Sequence, residues 1–96
     1  MALSDTYDLE GIRNQTAERV HERVETLLAA DPSVCRCPTC VLDLVAFTLN
    51  RVRPRYTTSI LGDLHPDPTS QKRLQVEIEL ALQAGLKRLA SHPHHQ

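Results

Sequence analysis

The run Cys35-Arg36-Cys37-Pro38-Thr39-Cys40-Val41-Leu42-Asp43-Leu44-Val45-Ala46-Phe47-Thr48-Leu49-Asn50-Arg51-Val52-Arg53-Pro54 decides the fold class. Pro38 suits the first position of a helix, where its fixed φ is already helical and its missing N–H has no partner to lose. Leu42, Val45, Ala46 and Leu49 then recur at the spacing of one helical face. Pro54 cannot continue a helix, so the segment ends near Asn50. Phe47, the only phenylalanine, lies off this stripe. It reads as a second packing contact, within the chain or to a partner subunit.

On the N-terminal side, Val20, Val24, Leu27 and Leu28 share a face, with Glu18, Arg19, Glu22, Arg23 and Glu25 on the others. The spacing predicts a helix from Leu9 to Ala30, N-capped by Asp8 and stopped at Asp31-Pro32. On the C-terminal side, residues 54–66 hold Pro54, Gly62 and Pro66 and read as a loop with a short extended piece. Asp67-Pro68 reads as an N-cap followed by proline at the first helical position. Leu74, Ile78, Leu82, Leu86 and Leu89 then form a stripe, widened by Val76 and Leu80. A helix to Ser91 would be roughly 36 Å long at 1.5 Å per residue, long enough to seek a partner outside its own domain. Gly85 within it suggests close helix contact.

The expectation is therefore all-α: one small domain, residues 1–96, with three main helices in an intertwined or side-by-side homodimer. Composition agrees, since hydrophobic residues make up 41% of the chain and aromatics only 3%, leaving Leu, Val, Ile and Ala to build the core. A chain of 96 residues has a modest core, which a metal or a dimer would reinforce. No apolar run follows a basic start and none approaches membrane-spanning length, so neither a signal peptide nor a transmembrane helix is expected.

Net charge is −1, but it is unevenly spread. Residues 1–33 carry −4, residues 34–56 carry +3, and residues 57–96 balance. A broad basic face for DNA is excluded, whereas a focused anion site in the middle third is not. Three cysteines within six residues do not make a disulfide framework and point to a reducing, cytoplasmic setting.

Cys35, Cys37 and Cys40 form C-x-C-x-x-C at a helix start, where the dipole favours thiolates and a loop can gather three sulfurs on zinc. His21, His65, Asp43 or water would complete a tetrahedron. Plain buried thiols are the bland alternative. Redox cycling at Cys37-x-x-Cys40 lacks the surrounding βαβ pattern. The second signal is Asn50-Arg51-Val52-Arg53-Pro54-Arg55-Tyr56. Guanidinium groups grip phosphate and stack on purines, and Tyr56 adds a ring. The competing reading is a solvated helix end, where cations are favoured anyway. Glu77 and Glu79, two apart, read as solvated, and His92, His94 and His95 as a frayed terminus. No nucleophile elbow, H-E-x-x-H or phosphate loop occurs, so an enzyme is not expected.

Residues 35–56 resemble the late-competence ComFB family. Cys35, Cys37, Cys40, Asp43, Ala46, Leu49, Asn50, Pro54, Arg55 and Tyr56 fall on its pattern. Thr58, Gly62 and a long closing helix ending in His92-Pro93-His94-His95 also fit. Arg53 stands where the family usually has the first of two prolines, and Val52 where it usually has Leu. The resemblance implies an all-α homodimer, structural zinc in at least some members, and binding of cyclic di-GMP or cyclic di-AMP. Arg51, Arg53 and Arg55 would then hold phosphates or guanine edges, Tyr56 would stack, and Asp43 or Asn50 would read a base edge. Such a receptor would act through a downstream regulatory protein. The alternative is a zinc-stabilised dimeric adaptor that binds no nucleotide.

Overall fold

The computed structural model describes residues 2–58 and 68–91. In chain order its elements are 3₁₀ turns at Leu3–Asp5 and Leu9–Gly11, strand β1 (Arg13–Asn14), helix α1 (Gln15–Ala30), helix α2 (Pro38–Arg51), strand β2 (Tyr56–Thr57) and helix α3 (Pro68–Ser91). The all-α reading holds, with three helices and one two-residue ribbon. The expected Asp67 cap, Gly62, and the histidines at 65, 92, 94 and 95 lie outside the described residues. Among the described residues, no helix is long and apolar enough to cross a membrane.

The first helix starts six residues later than its pattern predicts. Asp8 does cap, but only the short turn at Leu9–Gly11, through the N–H of Glu10. The cap of α1 is Asn14, whose Oδ1 accepts from the N–H groups of Thr16 at 3.1 Å and Ala17 at 3.3 Å. Arg13 and Asn14 pair antiparallel with Thr57 and Tyr56, which takes them out of the helix. Proline at the start of α2 is as expected, with Cys37 as its N-cap.

Val20 and Val24 of α1, Leu44 of α2, Val52, and Ile78, Ala81 and Leu82 of α3 form the core. The buried face of α2 overlaps the predicted one only in part, since Val45 and Leu49 pack against the core but the centre of the face lies elsewhere. Cys40, Leu44 and Thr48 face inward, whereas Leu42 and Ala46 are exposed. Thr48 is tolerated inside because its hydroxyl donates to the Leu44 carbonyl at 2.8 Å. Val76 and Leu80 likewise do not widen the stripe of α3 but stand in solvent.

Gly85 marks a close approach of α3 to α2. A Cβ there would lie 2.9 Å from Leu44 Cδ1 and 3.1 Å from Phe47 Cδ1. Phe47 thus finds its packing contact within the chain. Its ring also carries the guanidinium carbons of Arg51 at 5.1 Å and Arg88 at 6.0 Å. Helix α1 grips α3 through polar groups: Arg23 is bidentate to Glu79 at 2.6 and 3.0 Å, and Arg19 donates to Gln75 at 2.8 Å. Glu79 is therefore a structural partner, not a solvated acid.

Candidate functional site

The cysteines converge at the start of α2. The Cys37 sulfur caps the helix by accepting from the Cys40 N–H at 3.4 Å. All three sulfurs lie within 4.8 Å of one another. A Zn–S bond of about 2.3 Å in a tetrahedron sets sulfurs about 3.8 Å apart, so small side-chain rotations bring these three onto one ion. The donor set fits zinc. The N–H of Cys40 holds the Cys37 thiol below its ordinary pKa, while burial pushes Cys40 up to about 12. Neither His21 nor Asp43 belongs to the sulfur group. Asp31, held below the usual carboxylate range by the Ser33 hydroxyl and N–H, orders the loop leading in. Leu86, Leu89 and Ala90 at the end of α3 border Cys35 and Cys40 across a cleft of about 290 Å³. The cysteine cluster thus sits between the start of α2 and the far end of α3.

The arginine segment is fixed at the other end of α2. Val52 is buried and anchors it, and Arg55 is held by its backbone. The Arg55 N–H donates to Asn14 Oδ1 at 3.0 Å, and the Arg55 carbonyl accepts from the Gln15 N–H at 2.7 Å. Asn14 Oδ1 therefore accepts three hydrogen bonds, two from α1 and one from this segment. The backbone is pinned, the Arg53 side chain is exposed and that of Arg55 half-buried, while the Arg51 guanidinium lies over Phe47.

Two open clefts adjoin there, and both are lined by Arg53, Pro54 and Glu77. The first, about 440 Å³, adds Arg55 from the segment and Ser70 and Arg73 from the start of α3. Thr16 also lines it. Thr16 is 1% exposed, and its hydroxyl is buried without a hydrogen-bond partner among the described residues. The second cleft, about 490 Å³, joins Asn50, Arg51 and Arg53 to the apolar Val52, Leu80 and Ala81. Arg53 is common to both.

The structure thus brings Asn50, Arg51, Arg53 and Arg55 together. It places Asp43 elsewhere, in a groove with Phe47, Gly85 and Arg88. Tyr56 stands 66% exposed on β2 and lines neither arginine cleft. Arg73, Ser70, Thr16 and Glu77 are additions that the segment alone does not announce. The one sequence trace of them is that Arg73 and Glu77, four apart, share a helix face.

A family model described as late competence development protein ComFB matches residues 13–93. The match begins at β1, the first element tied to the arginine segment, and runs past the end of α3. No curated protein and no solved structure matches the chain. On a match that spans the cysteine cluster, the arginine clefts and all three helices, the chain belongs to the ComFB family.

Proposed function

We propose that the protein is a receptor without catalytic activity for a cyclic dinucleotide, cyclic di-GMP or cyclic di-AMP, which works as a homodimer and signals through a regulatory protein. The observation that carries this reading is the pair of clefts sharing Arg53. One offers Arg53, Arg55 and Arg73 to a phosphate above the unpartnered Thr16 hydroxyl. The other offers an apolar wall to a purine. Phosphate is gripped bidentately by guanidinium groups, and a buried hydroxyl without a partner favours whatever ligand satisfies it. Leu80 edges the second cleft, and Val76, one turn back, continues the exposed apolar surface. A two-fold pairing across that face would bring two such clefts together, and the ligand has the same two-fold symmetry. Zinc on Cys35, Cys37 and Cys40 has a structural role in this reading, holding the start of α2.

Calorimetry with cyclic di-GMP, cyclic di-AMP and GTP tests it. A cyclic ligand should bind, and no heat from either at high micromolar concentration overturns the reading. Arg53→Ala alters an exposed side chain and should leave the melting temperature unchanged. It should weaken binding by roughly tenfold or more, since it removes a charged contact from both clefts.

The exposed Leu42, Val76 and Leu80, together with the cysteine cluster, favour a second reading: a zinc-stabilised dimeric adaptor with no nucleotide. A protein partner captured equally well with and without second messenger would support it.

A further inference from the structure

Glu77 is the feature that a plain phosphate site does not explain. It is a carboxylate set among Arg51, Arg53, Arg55 and Arg73, and it is the acid that lines both clefts. A site built only to attract an anion gains nothing from it. Among the described residues, Glu77 takes no part in the ion pairs Arg13–Glu18 and Arg23–Glu79.

Resting on the cyclic dinucleotide reading, we propose that Glu77 reads the Watson–Crick edge of guanine, so that the site selects cyclic di-GMP over cyclic di-AMP. The two clefts divide the work. With the phosphate among Arg53, Arg55 and Arg73, the attached purine falls on the side of Val52, Leu80 and Ala81. Glu77 stands at the boundary, beside the edge of that purine. Guanine presents N1–H and the N2 amino group side by side, two donors that match the two oxygens of one carboxylate. Adenine presents a bare N1 at the same place, a lone pair facing an anion. Selection therefore has an attractive and a repulsive part, and the repulsive part is what rejects the near-isosteric base. The surrounding arginines keep the site positive overall, so one carboxylate does not forfeit the phosphate.

The test titrates the full chain with both cyclic ligands, as wild type, Glu77→Gln and Glu77→Asp, with a circular dichroism melt of each. The wild type should bind cyclic di-GMP about tenfold or more tightly than cyclic di-AMP. Glu77→Gln replaces one acceptor by a donor and should shrink that ratio by roughly tenfold, mainly through weaker cyclic di-GMP binding. Glu77→Asp keeps the charge but withdraws it by one methylene, and should fall between. Equal wild-type affinities, a preference for cyclic di-AMP, or a ratio that neither variant moves overturns the role of Glu77 while leaving the receptor reading intact. Absence of binding by either ligand overturns both together.

Discussion

Thr16 carries a hydroxyl that the fold buries and that has no partner among the described residues. Such a group costs about 1–3 kcal/mol when unsatisfied, and an apolar replacement of similar shape removes that cost. Thr16→Val should therefore raise the stability of the ligand-free protein by about 1 kcal/mol, measured by urea denaturation, and weaken the bound complex in calorimetry. Opposite signs in the two measurements identify a group kept for a ligand. A fall in both would mark an ordinary structural threonine. Nothing in the sequence sets Thr16 apart, because a threonine in the first turn of a helix is commonplace. The arginines at 51, 53 and 55 are legible because they are crowded. Arg73 and Glu77 are not, since only the packing of α3 against the end of α2 brings them to the same clefts.

At the scale of the element, the three helices are readable from apolar spacing and from Pro38 and Pro54. The rotation of α2 about its axis is not. Its inward face centres on Cys40, Leu44 and Thr48, the last a residue that a hydropathy pattern undervalues, while the more apolar Leu42 faces out. The ribbon of β1 and β2 is invisible to periodicity, because two residues have no period. Gly85 is the element-level feature that the sequence reading places correctly. Alanine there would gain about 1 kcal/mol of helix propensity. Its Cβ, however, would meet Leu44, which is fully buried and has nowhere to retreat. Overpacking costs about 1–3 kcal/mol, so Gly85→Ala should be neutral to destabilising by about 2 kcal/mol. In a thermal melt each kcal/mol lost appears as a drop of roughly 4–8 °C. A rise in melting temperature would show that the two helices are free to part.

For the whole molecule, the radius of gyration is 15.8 Å, against about 12.5 Å for a compact domain of this length. The N-terminal segment ahead of α1 is exposed throughout residues 2–13, which extends the molecule, and Leu42, Val76 and Leu80 remain 57–67% exposed. A homodimer would cover such a surface, and Val76 tests it without lining either arginine cleft. Light scattering should give twice the chain mass for the wild type and the monomer mass for Val76→Asp, and a wild-type monomer would remove the two-fold receptor. The shared oxygen of Asn14 has a further consequence, in time rather than in space. Two of its three hydrogen bonds serve the first turn of α1, and the third comes from Arg55, 41 residues later. That junction joins segments far apart in sequence, so its formation carries the closure entropy of the chain between them. The arginine clefts therefore cannot take their shape until residues 14 and 55 have met, and a single side chain, Asn14, couples the start of α1 to the completion of the site.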